Sequence, residues 1–188
     1  MLVTQELSIL ESYTAIEHMH RFASWAAGRA ASVKNCRFSV AQAQGWIASI
    51  GLFDYLSNQN DALTTHSMGE LHKAWRTNLI AVAEKDGFGL THGVAAKLIN
   101  VYFKAACVSS SPVSEPWINA LHPPIDAILL DTLYQENVGG FAQFWKQSKS
   151  IRWSNFDSEQ YEKVIEHIKL ALGNRPLWQI EAFWRGHQ

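Results

Sequence analysis

The sequence predicts an all-α protein, and three observations support this fold class. Apolar residues recur at spacings of three and four along most of the 188-residue chain, as on one face of an α-helix. The alternation of apolar and polar residues that marks β-strands is nearly absent. Signals that begin and end helices separate the apolar segments. We therefore expect a single helical domain over residues 1–188, with roughly eight helices in one or two lobes.

The first two helices are predicted from composition and capping signals. Residues 4–32 form the first, and its second half is rich in alanine and glycine, so a neighbouring helix can approach it closely. Ser39 begins the second, because Gln42 completes a capping box with it. Gly51 suits the end of this helix, since glycine readily adopts the left-handed conformation found there.

Polar and proline-rich segments separate the next predicted helices. Residues 57–67 are polar and predict a loop, and a helix over residues 68–85 follows. Thr91 can cap the helix after that through its hydroxyl group. The segment SSSPVSEP, residues 109–116, combines a serine run with two prolines and predicts a break.

Three further helices are predicted in the C-terminal part of the chain. HPPIDAILLDTLY, residues 122–134, places prolines in the first turn of a helix, where their missing N–H costs nothing. Asp157 and Gln160 have capping-box spacing at the start of the next helix. Pro176 opens the last helix.

Composition narrows the cellular setting and the class of partner. The two cysteines, Cys36 and Cys107, lie in unrelated contexts, which favours a reduced cytoplasm over a secreted disulfide scaffold. The N-terminus resembles no secretion signal and no apolar run is long enough for a membrane span, so we expect no membrane association. A net charge of −1 gives no global electrostatic case for nucleic-acid binding.

Lys97 and Asp126 are the candidate catalytic residues, because each lies near the start of a predicted helix. Lys97, Asn100 and Lys104 share one stripe of their helix. An amine near a helix N-terminus that is also partly removed from water has a lowered pKa and can act as a nucleophile at neutral pH. A solvated polar face, a helix N-terminal charge and a structural ion pair are the alternative interpretations.

The segments around these two residues resemble a known enzyme family. HGVAAK, residues 92–97, resembles the hairpin and helix start of the helix-hairpin-helix DNA glycosylases, whose 8-oxoguanine members have a Gly-Val-Gly-Thr-Lys type of run. HPPID, residues 122–126, resembles the Pro-Val-Asp of the same family. The resemblance covers residues 85–135 well and the flanks only by their helical character.

The resemblance implies excision of a modified base from double-stranded DNA without a cofactor. Lys97 would attack the sugar C1′ of a flipped nucleotide and form a Schiff base. Asp126 would stabilise positive charge on the sugar and help to transfer protons. The hairpin residues His92 and Gly93 would contact a DNA phosphate.

DNA binding also requires stacking groups and positive charge. A flipped base needs an aromatic pocket, for which Tyr102, Phe103 or a nearby tryptophan are the candidates. Lys146, Lys149 and Arg152 are interleaved with aromatic residues, a composition suited to phosphates and stacked bases. The alternative interpretation of this basic segment is the end of an ordinary amphipathic helix.

The alternative function is a helical interaction module without chemistry, regulatory or defence-associated. The near-neutral charge favours it. The last predicted helix is apolar, with Trp178, Phe183 and Trp184, so we expect it to dock on the body or to mediate a homodimer. We expect no metal site, because His18 and His20, the closest histidines in the sequence, face different directions on a helix.

Overall fold

A computed structural model describes residues 13–57, 65–109 and 116–186. This part of the chain is all-α and contains no β-strand beyond one isolated bridge between Val33 and Cys36. Its α-helices are α1 (Ala15–Ala31), α2 (Val40–Ser49), α3 (Leu52–Ser57), α4 (Thr65–Lys85), α5 (His92–Phe103), α6 (Pro116–Ala120), α7 (Ala127–Gln135), α8 (Ala142–Ile151) and α9 (Ser158–Leu172). A π-helical turn, Lys104–Val108, extends α5, and the 3₁₀ turns are Val138–Gly140, Trp153–Asn155 and Leu177–Phe183.

The predicted helix starts are confirmed where capping residues defined them. The Ser39 side chain accepts a hydrogen bond from the Gln42 N–H, and the Gln42 side chain bonds back to the Ser39 N–H. Asp157 and Gln160 form the same reciprocal box at the start of α9. Thr91 caps α5 by accepting a hydrogen bond from the Val94 N–H. These local signals depend on few tertiary contacts, which is why the sequence predicts them.

Three predicted boundaries need correction. The prolines at 123 and 124 precede α7 rather than forming its first turn, because Asp126 is the N-cap and the helix begins at Ala127. α4 already begins at Thr65, inside the segment predicted as a loop. The terminal segment Leu177–Phe183 is a 3₁₀ helix rather than an α-helix. The start of the first predicted helix and most of the predicted break over 109–116 lie outside the described residues.

Two apolar cores lie on either side of α5. The N-terminal core packs side chains from α1, α2 and α4 against α5, with Leu98 and Tyr102 among its members. The C-terminal core packs α7, α8, α9 and the terminal 3₁₀ helix together, with Ala96 of α5 and Ile180 among its members. Because neighbouring elements cover α5 on both sides, every residue from Gly93 to Asn100 is buried, including the charged Lys97.

The start of α5 is held by the segment that follows α8. The Gly93 N–H donates to the Phe156 carbonyl at 3.0 Å, and the Thr91 hydroxyl donates to the Ser154 carbonyl at 2.8 Å. A Cβ at position 93 would lie 1.8 Å from the Trp153 carbonyl oxygen. Only glycine therefore permits this approach of the two backbones.

Within the described ranges, no helix is both long and apolar enough to cross a membrane.

Candidate functional site

Lys97 and Asp126 form the centre of the candidate site. The Lys97 Nζ donates to Asp126 Oδ2 at 2.9 Å. Their side chains are 7% and 18% exposed, so the contact is largely removed from water. Lys97 lies in the second turn of α5, and Asp126 is the N-cap of α7. The structure therefore brings together the two residues that the sequence singled out, at the starts of two different helices.

Asp126 is held by hydrogen bonds to both carboxylate oxygens. Its Oδ1 accepts from the Leu129 N–H at 2.9 Å, which caps α7. Its Oδ2 accepts from the Trp184 indole N–H at 2.9 Å as well as from Lys97. Donors from three separate elements therefore fix the orientation of the carboxylate, which is how a preorganised charged group is held in place.

Burial and pairing together set the protonation of the two groups. Burial lowers the pKa of the Lys97 amine, and the attraction to Asp126 offsets this only in part. Burial by itself would raise the pKa of Asp126, but the Lys97 charge and the hydrogen bonds outweigh it and hold the pKa below its usual value. The carboxylate is thus ionised at neutral pH, and the amine gives up its proton more readily than an exposed lysine does.

Aromatic and charged side chains surround the pair. Lys97 Nζ lies 5.3 Å from the centre of the Trp153 ring, within the range of a cation–π contact. Lys104 forms an ion pair with Glu181 and lies 5.6 Å from the Trp184 ring. Burial raises the pKa of Glu181. The site thus contains two lysines and two carboxylates held between indole rings.

The predicted base pocket lies elsewhere in the fold. Tyr102 and Phe103 are fully buried in the N-terminal core. The Tyr102 hydroxyl lies 2.9 Å from His20 Nδ1, and the Phe103 ring packs against Trp75. Both rings are core residues, whereas Trp153 is the aromatic ring that the structure places beside Lys97.

The predicted hairpin residues lie where the chain contacts itself. Gly93 is buried, and its N–H already bonds to the Phe156 carbonyl. A phosphate at the start of α5 would therefore need another donor. His92 is half-buried, with its Nδ1 3.4 Å from the Arg76 guanidinium, and burial is the main reason that its pKa is lowered.

The predicted basic segment is on the surface. Lys146, Lys149 and Arg152 are all exposed on α8 and the residue after it. Lys149 forms an ion pair with Asp131. Arg152 has a φ of 74°, a conformation uncommon for a residue with a side chain, and it turns the chain directly into Trp153. The segment therefore presents positive charge next to the indole that contacts Lys97.

Two contacts at the site are not predicted by the sequence analysis. Trp184 and Glu181 fall in a segment predicted only as an apolar terminal helix, yet both contact the candidate site, Trp184 through Asp126 and Glu181 through Lys104. Their sequence signal is the indole and the carboxylate within an otherwise apolar segment. In the described part of the chain, no three His, Cys, Asp or Glu side chains are arranged to hold a metal ion.

Neither a family model, a curated protein nor a solved structure matches the chain. The resemblance to the helix-hairpin-helix DNA glycosylases therefore rests on residues 92–97 and 122–126 alone.

Proposed function

We propose that the protein excises a modified base from duplex DNA, with Lys97 as the nucleophile and Asp126 as the assisting carboxylate. The observation that carries the proposal is the 2.9 Å contact between Lys97 Nζ and Asp126 Oδ2 in a largely buried site. An amine of lowered pKa beside an ionised carboxylate suits attack on an electrophilic carbon. The resemblance of HGVAAK and HPPID to the glycosylase family supplies the substrate class.

The chemistry follows from the charges of the two groups. The Lys97 ammonium gives a proton to the departing base, and its freed lone pair forms the bond to C1′ as the bond from C1′ to the base breaks with its electron pair on the base. The fixed carboxylate of Asp126 stabilises positive charge on the sugar as this bond breaks. One proton of the attached nitrogen then passes to the sugar ring oxygen O4′ as the C1′–O4′ bond breaks, which opens the ring and leaves a protonated Schiff base between Lys97 and C1′.

The surroundings support binding of a flipped nucleotide. Extrusion of a base costs a few kcal/mol and is offset by stacking in a pocket. Trp153 replaces Tyr102 and Phe103 as our candidate stacking residue, because its ring is the one in contact with Lys97. Lys146 and Arg152 supply exposed positive charge in the same segment for backbone phosphates.

Borohydride trapping on a panel of duplexes with damaged bases tests the proposal. The wild-type protein should form a covalent adduct, and Lys97→Gln should form none, because glutamine has no amine for a Schiff base. Lys104→Gln tests the second lysine of the site, which lies on the same stripe of the helix but is 40% exposed. Asp126→Asn should slow base release and leave duplex binding intact.

Several specific results would contradict the proposed function. Trapping that survives Lys97→Gln would remove Lys97 as the nucleophile, and trapping lost only in Lys104→Gln would move the nucleophile along the helix. Duplex binding should weaken steeply as salt increases, because each neutralised phosphate releases counterions. Binding that is absent or insensitive to salt would count against a DNA substrate.

An interaction module is the second candidate, and one feature of α1 favours it. Phe22 and Trp25 are 55% and 50% exposed, and their ring centres lie 5.9 Å apart on one face of the helix. Paired exposed aromatics are typical of protein contact surfaces. If Lys97→Gln lowers only the melting temperature and no duplex binds, this candidate is the better account.

A further inference from the structure

A second polar site lies away from the Lys97–Asp126 pair. A cleft of about 380 Å³ runs between α4 and α9, and His122 lies within its lining. The charged side chains that line it come from both helices, among them Arg76 of α4 and Lys169 of α9. None of these residues has a role in the proposed DNA chemistry.

His122 presents one ring nitrogen without a protein partner. The residue is 8% exposed, and its Nδ1 lies 3.0 Å from the Tyr161 hydroxyl. Among the residues that the structure describes, its Nε2 makes no hydrogen bond. This nitrogen is reached by solvent and is not sealed inside the protein, so water or a ligand in the cleft can bond to it.

The hydrogen-bond network around His122 fixes which nitrogen carries the proton. Asn100 Nδ2 donates to the Pro123 carbonyl at 2.8 Å, which fixes the orientation of the amide. The same Nδ2 donates to the Tyr161 hydroxyl oxygen at 3.0 Å. The Tyr161 O–H must then donate to His122 Nδ1, since the alternative would leave a buried hydroxyl hydrogen without an acceptor.

The proton of His122 therefore lies on Nε2. Burial holds the pKa of this histidine well below its usual value, so the ring is neutral and carries a single proton. With Nδ1 accepting from Tyr161, that proton points away from the network. His72 lies at the other end of the network and donates from Nε2 to Asn100 Oδ1 at 2.7 Å. Each hydrogen bond of the network therefore has a defined donor and acceptor, and the Nε2–H of His122 is left as a donor.

Charged side chains flank this donor. Lys73 and Arg76 share the carboxylate of Glu162, at 3.3 and 2.9 Å. Lys169 forms no ion pair within the described part of the chain, and its charge also lowers the pKa of His122. Glu70 and Glu166, the two remaining carboxylates of the lining, are exposed, as Lys73 is, so water screens all three charges.

We propose that this cleft binds the oxyanion of a small ligand, a phosphate or a carboxylate group, between the His122 Nε2–H and the Lys169 ammonium. A donor that the fold orients in advance, next to a cation without a carboxylate partner, is complementary to such a group. The inference stands apart from the proposed DNA activity, since it uses none of the residues assigned to that reaction.

The test is a titration of the full chain with inorganic phosphate and, separately, with acetate. The readout is the His122 ring in two-bond ¹H–¹⁵N correlation spectra at about pH 7.5, where a free histidine would be neutral. We expect a shift of the Nε2 resonance with a Kd of about 1 mM for the better anion. Lys169→Met should weaken this binding about tenfold through loss of the charge.

Lys163→Met is the matched control, because Lys163 is an exposed lysine of the same helix outside the cleft lining. It should leave the affinity unchanged. A response to phosphate alone would indicate a phosphate-bearing ligand, and a response to acetate alone a carboxylate. The proposal is overturned if neither anion shifts the His122 signal, or if Lys169→Met and Lys163→Met bind the anion equally well.

Discussion

The Lys97 ammonium lies 2.9 Å from the Asp126 carboxylate although the two residues are 29 positions apart in the sequence. The contact joins the central helix α5 to the N-terminus of α7, so it ties the two apolar cores together as well as forming the candidate catalytic pair. Removal of one partner would leave the other charge buried without compensation. A double-mutant cycle therefore measures how much the contact contributes to stability, apart from any loss of activity in the single variants.

We predict strong coupling between the two residues in a double-mutant cycle. Lys97→Met and Asp126→Asn should each lower the free energy of unfolding by about 2–4 kcal/mol, because each leaves a buried group unpaired. The double variant should lose less than the sum by about 1–2 kcal/mol. Asparagine keeps an oxygen for the Leu129 N–H, so the cap of α7 survives. Denaturant unfolding measures all four proteins.

A lysine from the same stripe serves as the control for this cycle. Lys104→Met removes an ion pair whose lysine is 40% exposed, so it should cost about 1 kcal/mol or less. Additive losses for Lys97→Met and Asp126→Asn would show that the contact contributes no coupling energy, and the structural ion pair would then explain little of the stability.

Lowering the pH should remove the extra stability that Asp126 gives the protein relative to the Asp126→Asn variant. The folded-state pKa of Asp126 lies below its unfolded value of 3.8, so its stabilising contribution is complete above that value and is lost as the pH falls through the folded pKa. The gap in unfolding free energy between the wild type and Asp126→Asn should be constant near neutrality and narrow below about pH 4. A gap that does not change with acid would mean that the carboxylate charge contributes nothing.

Local signals predict much of the framework around the site. Thr91 caps α5 as the sequence predicts, whereas Asp126, predicted inside a helix that begins at the prolines, is instead the N-cap of α7. The position of Lys97 follows once α5 is placed. The burial of Lys97 cannot be predicted in the same way, because it depends on how two cores assemble around one helix.

The remainder of the site depends on contacts between distant segments. The Trp184 indole reaches Asp126 only because the terminal segment is a 3₁₀ helix lying against α7 and α9. Sequence proximity predicts Tyr102 and Phe103 near the lysine, but the helix directs them into the N-terminal core. Trp153 contacts Lys97 because a left-handed residue, Arg152, redirects the chain after α8.

The free energy of unfolding should also decrease in acid, because His72 is buried in its neutral form. Burial lowers the pKa of His72 from 6.5 to about 3. Its contribution is therefore complete above 6.5 and is lost as the pH falls towards the folded value. Across that window the free energy of unfolding should decrease by about 1.4 kcal/mol per pH unit from this residue.

His72→Gln isolates this effect, because glutamine keeps an N–H for the Asn100 oxygen and does not titrate. Its unfolding free energy should depend less steeply on pH between about 6 and 4 than that of the wild type. Above about pH 7 the difference between the two proteins should be constant, which provides the internal reference. Parallel pH profiles through the whole range would show that folding does not lower the pKa of His72.

The final prediction concerns the junction between α5 and the segment after α8. Gly93→Ala places a methyl group 1.8 Å from the Trp153 carbonyl oxygen, and both contacting groups belong to or adjoin the backbone. One segment must move, which should cost about 3 kcal/mol of unfolding free energy. Because Trp153 lies on that segment, its ring should also shift relative to Lys97.

Gly45→Ala is the control that distinguishes this close approach from the general effect of replacing glycine with alanine. Gly45 lies in α2, and a methyl group added there would meet no neighbouring atom within 4 Å, so Gly45→Ala should raise stability by about 0.5–1 kcal/mol through the unfolded chain. Thermal or denaturant unfolding of the two variants should thus give changes of opposite sign. If Gly93→Ala is as stable as the wild type, the two backbones do not meet as described, and the contact that places Trp153 beside Lys97 loses its support.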